Sequence, residues 1–258
     1  MKLYRIRHIA ETASTNDDVK EAAAAGEAEG LVIHADMQTA GRGRGGRPWV
    51  SPPGNLYTSI LLRPVCDLAQ AHLYVFAAAL AIYDTVHKQL LQTDIKIKWP
   101  NDVLVEGKKI SGILLESSTT AKGNMEWQVV GIGLNVEHYP QTALYPATSL
   151  RAMGAAVKPL SDILETLLDR FFEWKAALEK EGFAPLRKAW LERAQTGPLS
   201  ARLPHETLQG DFADLDKDGR LILRLANGKE TAISAGDVFF ANMPSAQSGP
   251  PAGTPKSR

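Results

Sequence analysis

A short segment in the first fifth of the chain carries four glycines and three arginines in seven residues, from Gly41 to Arg47. Glycine lets backbone N–H groups approach an anion closely, and arginine offers paired planar donors to phosphate or carboxylate. The segment joins an apolar strand that begins at 31–33 to a strand predicted at 56–62, and Trp49 gives it an apolar anchor. A Gly/Arg segment between two core strands predicts a flap that closes over an anionic ligand, because loops on a rigid scaffold carry function.

The same composition also occurs in solvated linkers and in Arg-Gly segments that contact RNA. Arg-Gly segments that bind RNA tend to be repetitive and disordered, whereas this cluster occurs once. Lys plus Arg and Asp plus Glu both total 29, so the chain lacks the basic excess of a duplex-binding protein. A nucleic-acid-binding module therefore stays as the alternative from another class, and we expect no DNA partner.

Length and composition fit a globular protein of one large domain with a small appendage, because the chain has 258 residues, 44% of them hydrophobic. Its single cysteine excludes an intrachain disulfide, which is compatible with a reducing compartment. The charged start is unlike a signal peptide, and the longest apolar run, at 68–83, is short for a membrane span. We predict a cytoplasmic protein with no membrane partner.

Apolar spacing along the chain alternates between the period of strands and that of helices. This order, with clustered hairpins, indicates an α+β fold with a mixed sheet. After about residue 195, short apolar runs split by Asp218-Gly219 and Asn227-Gly228 predict a small antiparallel β-domain. We predict domains at 1–194 and 195–242, and a disordered tail at 243–258. Strands are predicted at 3–9, 31–33, 56–62, 95–99, 103–105, 110–115 and 129–136, and helices at 14–26, 67–90 and 161–180.

Two further segments place polar groups at the ends of predicted elements. Ser14-Thr15-Asn16 opens a helix, with Ser14 at the N-cap and Asp17 at the position of a capping-box carboxylate. A helix N-terminus also presents free N–H donors to a ligand. The run Lys98-Trp-Pro-Asn-Asp102 ends a strand at a turn, and strand alternation puts Lys96 on the same face as Lys98. Capping, an ordinary turn and solvated lysines are the plain structural interpretations.

Three further residues of interest lie on strands near that turn. Lys109 opens an apolar strand at a hairpin edge, and Gly131 and Gly133 lie inside the next strand, where glycine permits close approach of other groups. No helix start follows these glycines, so they do not form a dinucleotide fingerprint.

In their order and spacing, these segments resemble the biotin–protein ligase family. The resemblance covers about residues 3–180 and extends more weakly through the C-terminal β-domain. It implies a catalytic domain related to class II aminoacyl-tRNA synthetases, a C-terminal SH3-like β-barrel, and the ligase-only form without an N-terminal helix-turn-helix. The matching residues are Ser14-Thr15-Asn16, Gln38, Gly41–Arg47, Trp49, Lys98–Asp102, the run from Lys109 through Gly112 to Ile113, and Gly131–Asn135.

The resemblance implies two steps: the carboxylate of biotin attacks the α-phosphate of MgATP to give biotinyl-5'-AMP and release pyrophosphate, and a lysine of a biotin carboxyl carrier domain then takes the biotin and releases AMP. ATP and Mg²⁺ are thus the expected co-substrate and ion, biotin the substrate, and no tightly bound prosthetic group is expected. Asp102 either binds Mg²⁺ or receives the proton of the carrier lysine. The implied catalytic residues are Lys109, Arg42, Arg44 and Asp102; the biotin contacts are Ser14, Thr15, Asn16, Gln38, Arg42, Gly43, Arg44, Trp49, Lys109 and Gly112; and the nucleotide contacts are Arg44, Asn101, Lys109 and Asn135.

Within this resemblance the nearest alternative is a lipoate or octanoate ligase or transferase of the same fold, which has no use for polar partners of a ureido ring. Two positions depart from the family pattern. Gly45 stands where many members have a larger residue, and the run from Gly236 to Ala241 lacks an Arg that some members place near ATP. A homodimer is compatible with the sequence, which does not predict the oligomeric state.

Overall fold

The computed structural model describes residues 2–120, 124–141 and 146–241, which form a seven-stranded and a five-stranded sheet with five α-helices. The predicted tail at 243–258 lies outside the described residues. The strands are β1 (Arg5–Thr12), β2 (Leu31–Gln38), β3 (Leu56–Leu62), β4 (Ile95–Lys98), β5 (Asp102–Val105), β6 (Lys108–Thr119), β7 (Met125–Leu134), β8 (Pro198–Arg202), β9 (Thr207–Leu215), β10 (Leu221–Leu225), β11 (Glu230–Ile233) and β12 (Asp237–Phe240).

The helices follow the predicted order, except that the segment predicted as one helix at 67–90 divides in two and that the last helix, at 183–191, was not predicted. A single 3₁₀ turn, Arg44–Gly46, interrupts the loop between β2 and β3. The helices are α1 (Thr15–Ala24), α2 (Leu68–Ala71), α3 (Tyr74–Gln89), α4 (Leu160–Glu181) and α5 (Phe183–Leu191).

The large sheet is mixed, as predicted, with the strand order β1-β2-β3-β7-β6-β5-β4. Strand β1 pairs with β2 in parallel, and the other pairings in this sheet are antiparallel. Strand β3 is buried along its whole length, and its two polar residues, Thr58 and Ser59, are hydrogen-bonded. The small sheet has the order β11-β10-β9-β8-β12 and is antiparallel, as the turn signals predict.

Helices cover both faces of the large sheet. On one face α3, α4 and α5 share the main hydrophobic core, and the alanines of α3 let it lie close to its neighbours. On the other face Val19 and Ala23 of α1 pack against Ile33 of β2, Leu61 of β3 and Val129 of β7. This packing fixes the start of α1 over the middle of the sheet. Across the described parts of the chain, no helix is long and apolar enough to span a membrane.

The start of α1 differs from the prediction in one respect. Ser14 occupies the N-cap position, but its side chain makes no capping hydrogen bond; its backbone carbonyl accepts from the N–H groups of Asp17 and Asp18. The capping-box prediction for Asp17 is also wrong, because the carboxylate binds the guanidinium of Arg42 with two short hydrogen bonds. A paired, charged donor is stronger than a neutral backbone N–H, so it takes the carboxylate.

Candidate active site

A cavity of about 410 Å³ opens where α1, the Gly/Arg loop and strands β5, β6 and β7 meet. Its volume is in the range of small-molecule sites. Every residue that the sequence predicts as a site residue lines it. These residues are Ser14, Thr15, Asn16, Gln38, Arg42, Gly43, Arg44, Trp49, Asn101, Asp102, Lys109, Gly112 and Asn135.

The Gly/Arg loop is folded back on itself over this cavity. The backbone N–H of Trp49 donates to Gly41 at 2.8 Å, and that of Gly43 donates to Arg47 at 2.7 Å. The tip needs a positive φ of 63° at Gly45, which L side chains rarely adopt. The departure at Gly45 therefore suits this turn.

Arg42, the first arginine of the loop, lies in a network whose charges cancel. Its guanidinium donates to both carboxylate oxygens of Asp17 at 2.6 Å and to Glu116 at 3.3 and 3.4 Å. Lys20 completes the network with ion pairs of 2.7 Å to Asp17 and 2.8 Å to Glu116. The hydrogen bonds from Arg42, opposed by partial burial, lower the pKa of Asp17 to about 2. Two cations facing two carboxylates leave no net charge for an anionic ligand.

The other two arginines of the loop reach the C-terminal β-domain. Arg44 donates to Asn101 Oδ1 and to the carbonyl of Gly236, both at 3.1 Å. Arg47 forms an ion pair of 2.7 Å with Asp237 in β12. The small sheet therefore anchors the tip of the loop, and Asp237 and Val238 line the cavity themselves.

A second charged cluster, formed by Lys98, Asp102 and Lys109, lies on the floor of the cavity. Lys109 Nζ is 2.6 Å from Asp102 Oδ1, and Lys98 Nζ is 3.7 Å from Asp102 Oδ2. Burial raises the pKa of Asp102, but Lys109 and Lys98 outweigh it, so the pKa is below its usual value and the carboxylate stays ionised. Burial, reinforced by Lys109, lowers the pKa of Lys98.

Charge distinguishes the two clusters. In the second cluster, three positive charges, from Lys98, Lys109 and Arg44, face the one negative charge of Asp102. The hydrogen-bond partners of Arg44, which are Asn101 and the carbonyl of Gly236, are neutral. This part of the cavity thus carries a net charge of about +2 by simple counting of ionised groups. Fixed positive charge in a partly enclosed site attracts phosphate and carboxylate groups.

A chain of hydrogen bonds orients the polar side chains at the other part of the cavity. Gln38 Oε1 accepts from the backbone N–H of Thr15 at 2.9 Å, and Gln38 Nε2 donates to Ser51 Oγ at 3.0 Å. The hydroxyl of Ser59 donates to Asn16 Oδ1 at 2.6 Å and lies 2.7 Å from Thr15 Oγ1.

Asn16 Nδ2 donates to Glu116 Oε2 at 2.7 Å. This contact and the hydrogen bonds of the preceding paragraph fix the orientation of the Asn16 and Gln38 amides, and thus which of their oxygen and nitrogen atoms face the cavity.

The glycines of β6 and β7 make room for the side chains that line the cavity. A Cβ on Gly131 would lie 2.1 Å from Asn16 Oδ1, and one on Gly133 would lie 2.6 Å from the Trp49 ring. A Cβ on Gly112, which pairs with Gly133, would lie 3.2 Å from Trp49 and from Lys109. The prediction of close approach at the strand glycines is confirmed. Trp49 thus lies flat against the sheet between the polar part and the charged part.

The two remaining predicted residues, Asn101 and Asn135, are held in place by hydrogen bonds to backbone carbonyls. Asn101 Nδ2 donates to the carbonyl of Ile113 at 2.7 Å, and Asn135 Nδ2 donates to that of Thr148 at 2.9 Å. Gly131 and Asn135 are four residues apart, a distance of roughly 13 Å along an extended strand. The lining of the cavity therefore extends from Gly131 along β7 to Asn135, just past the end of the strand.

Sequence reasoning missed several residues that shape the site. Ser59, Glu116 and Asp237 are polar residues of strands β3, β6 and β12, and no local pattern marks them as site residues. Lys98 was predicted to share a face with Lys96, yet Lys98 is 3% exposed and Lys96 is 38% exposed. The spacing of four between Lys98 and Asp102 was the available signal for the buried pair.

Comparison with known proteins agrees with this geometry. A family model described as the biotin/lipoate A/B protein ligase family matches residues 9–135, and one described as the biotin protein ligase C-terminal domain matches residues 200–241. The fold and the site thus define a member of the biotin/lipoate ligase class.

The relatives narrow the class. The biotin–[acetyl-CoA-carboxylase] ligase of Paracoccus denitrificans is 39% identical, over 90% of this chain and 99% of the relative. The biotin protein ligase from Aquifex aeolicus in complex with biotin and ATP superposes with a TM-score of 0.78 at 26% identity, over 92% of this chain and 99% of the other. The biotin protein ligase from Leishmania major in complex with biotinyl-5-AMP gives 0.62 at 25% identity, over 90% and 99%.

The chain belongs to the biotin–protein ligase family. The predicted fold class is confirmed: a class II aminoacyl-tRNA synthetase-like catalytic domain with a C-terminal SH3-like domain.

Proposed function

We infer that this protein is an ATP-dependent biotin–protein ligase, which forms biotinyl-5'-AMP and passes the biotin to a lysine of a biotin carboxyl carrier domain. The observation that carries this inference is the division of one cavity into an oriented polar part and a part with a net charge of about +2. The relatives named as ligases and the neighbour with biotin and ATP support it.

We propose that the ureido ring of biotin binds at the polar part. Ser14, Thr15, Asn16 and Gln38 offer hydroxyl and amide groups there, and Ser59 and Glu116 hold the Asn16 amide in one orientation. The apolar thiophane ring and the chain of biotin then pack against Trp49, the sheet at Gly112 and the loop at Gly43. Lipoate has no group that could satisfy these oriented amides, and leaving buried polar groups without partners costs about 1–3 kcal/mol each.

In the adenylation step the carboxylate of biotin must approach the α-phosphate of ATP. Two unit charges about 4 Å apart repel by roughly 4 kcal/mol at an effective dielectric of 20. We assign Lys109 to bridge the carboxylate and phosphate oxygens and Arg44 to hold the phosphate of the adenylate. Asn101 and Asn135 are the proposed nucleotide contacts, and Lys98 adds positive charge below the reacting atoms. Preorganised cations stabilise the charge that develops in the transition state.

Arg42 has a different environment from the other cations. Its guanidinium is bound to Asp17 and Glu116, so direct binding of the biotin carboxylate requires Arg42 to exchange Asp17 for the ligand. That contact stays a prediction. In the conformation described here, we propose that Arg42 fastens the base of the loop to α1.

For Asp102, the surroundings favour a role in positioning. Its carboxylate faces two ammonium groups, at 2.6 and 3.7 Å, and these do not suit a protein-held Mg²⁺, which prefers carboxylate, phosphate and water oxygens. The lowered pKa also makes it a weak base for the proton of the carrier lysine. We propose that Asp102 holds Lys109 in place and that Mg²⁺ arrives with ATP as part of the substrate.

Four further assignments stay proposals. We propose that the acceptor is a lysine of the carrier domain of an acetyl-CoA carboxylase, since the Paracoccus denitrificans relative is named for that enzyme. We also propose a cytoplasmic location, a catalytic domain over 1–194 and a β-domain over 195–242. A homodimer is compatible with all of these proposals.

The inference is tested by incubating the protein with ATP, biotin and a purified biotin carboxyl carrier domain, and following biotin incorporation by mass spectrometry. We expect one biotin per carrier domain, and none when the acceptor lysine is replaced by Arg. Lys109→Ala should abolish most of the rate, while the exposed neighbour Lys108→Ala should leave it unchanged. A carrier that stays unmodified with the unaltered protein refutes the inference.

A further inference from the structure

A second group of side chains with metal-ligand chemistry lies on the first two strands, outside the lining of the cavity. His8 of β1 stands opposite His34 of β2 in the parallel register, and Asp36 follows two residues later on the same face. One potential ligand atom of each residue lies within 4.8 Å of those of the other two. Within residues 2–120, 124–141 and 146–241 this is the one such group of three His, Cys, Asp or Glu side chains.

His34 is already oriented as a ligand. Its Nδ1 lies 3.0 Å from the carbonyl oxygen of Tyr57, which only accepts, so Nδ1 carries the hydrogen and Nε2 keeps the lone pair. Metal-bound histidines commonly donate their second ring N–H to a backbone carbonyl in this way. Burial lowers the pKa of the His34 imidazole.

His8 and Asp36 supply the adjustable side of the group. Their side chains are 57% and 48% exposed, and His8 Nε2 lies 2.8 Å from Asp36 Oδ1. An exposed polar contact of this kind contributes little stability, so both side chains can turn toward a shared ion without a large loss. The ring centroids of His8 and His34 are 5.7 Å apart.

The donor set selects the class of ion. Imidazole with one carboxylate suits Zn²⁺ and related transition metals, whereas Mg²⁺ and Ca²⁺ prefer sites built of oxygen ligands. Three protein ligands leave the fourth tetrahedral position of a zinc ion to water.

We propose that His8, His34 and Asp36 bind one divalent transition-metal ion of the zinc type. The ion would join β1 to β2 at the edge of the large sheet, where β1 has β2 as its neighbour in the strand order. Its expected effect is to stabilise this outermost strand. The proposal does not depend on the ligase activity, because none of the three residues lines the cavity.

Titration of metal-stripped protein with Co²⁺, followed by the visible absorption of the bound ion, tests this directly, and Zn²⁺ competition gives the zinc affinity. We expect one equivalent of Co²⁺ to bind and to be displaced by one equivalent of Zn²⁺. His8→Ala and Asp36→Asn should each weaken binding by at least about 100-fold, because even outer-shell partners of metal ligands contribute roughly 10–100-fold. His205→Ala, which removes an exposed histidine of the β-domain, should change nothing.

Thermal unfolding gives an independent result that does not require His34, whose replacement could disturb the core. Free Zn²⁺ at about 100 times its Kd should raise the melting temperature of the unaltered protein by about 5 °C. The same addition of Zn²⁺ should leave the melting temperatures of His8→Ala and Asp36→Asn unchanged. Absence of stoichiometric Co²⁺ binding, binding that survives both substitutions, or binding that is lost in His205→Ala overturns the proposal.

Discussion

Replacing Asp17 by Asn removes the carboxylate that fastens the base of the Gly/Arg loop to α1. The substitution keeps the size of the side chain but removes the negative charge that Arg42 and Lys20 share with it. Arg42 then keeps Glu116 as its remaining carboxylate partner, at 3.3 Å. We expect the loop to open more often and biotin to bind more weakly.

The size of the effect follows from the pKa of Asp17, which the hydrogen bonds of Arg42, with a smaller contribution from Lys20 and against partial burial, lower from 3.8 to about 2. A difference of about 1.8 units corresponds to roughly 2.4 kcal/mol between the two ionisation states. The side chains of Asp17 and Arg42 are 41% and 28% exposed, so solvent screens the pair and the net value falls to about 1 kcal/mol. That free energy changes the equilibrium between open and closed loop by about fivefold.

Limited trypsin digestion measures this opening, because the loop offers cleavable bonds after Arg42 and Arg44. When opening is fast, the cleavage rate follows the population of the open form. Asp17→Asn should therefore be cut in the loop about five times faster, and its KM for biotin should rise to a similar extent. Asp18→Asn is the matched control, since it removes the same charge one residue later and no ion pair of Asp18 is present in the described structure.

Equal cleavage rates for Asp17→Asn and the unaltered protein would refute the fastening role of the pair. A lower KM for biotin in Asp17→Asn would also refute the fastening role. It would show that Arg42 is restrained by Asp17 and binds the ligand better once released.

The remaining predictions concern the charged cluster, the glycines and pH. Lys109→Ala should lower kcat for adenylation by about 10²–10³-fold with a smaller effect on biotin affinity, and equal losses would indicate simple binding. Arg44→Gly should let the adenylate escape to bystander lysines, and labelling confined to the carrier would contradict this role. Gly133→Ala should displace Trp49 and weaken biotin binding by roughly 1–3 kcal/mol, measured by calorimetry. The free energy of unfolding of the unaltered protein should exceed that of Asp17→Asn by its full amount above pH 3.8, and this difference should vanish as the pH falls through about 2. The reason is that the pKa of Asp17 is lower in the folded state than in the unfolded state. A difference that persists at lower pH would contradict the assignment.

The parts of the site that sequence reasoning predicted are those in which local composition determines the structure. Glycine and arginine between two apolar strands define a loop near an anion. Likewise, the glycines inside β7 predict that other groups approach the strand closely, and in the structure the side chains of Asn16 and Trp49 lie against these glycines. The strand limits at 56–62 also follow from local composition, because most of these residues are aromatic, β-branched or apolar, and the structure has β3 at the same residues.

The parts that escaped prediction depend on residues far apart in the chain. Glu116 lies 74 residues after Arg42, and Arg44 contacts a carbonyl 192 residues further on, at Gly236. Neither contact has a local signal, because strand order in the sheet and the docking of the β-domain bring the partners together. The capping prediction for Asp17 failed for the same reason, since a distant arginine competes for the carboxylate.

The most direct test of the account is biotin-dependent exchange of labelled pyrophosphate into ATP, with lipoate in place of biotin as the control. The oriented amides at Asn16 and Gln38, together with the cations near Asp102, predict exchange with biotin and none with lipoate. Exchange with lipoate alone would contradict the assigned substrate and move the protein to the lipoate branch of its class. No exchange with either acid would contradict the adenylation chemistry and leave a binding protein on the same fold.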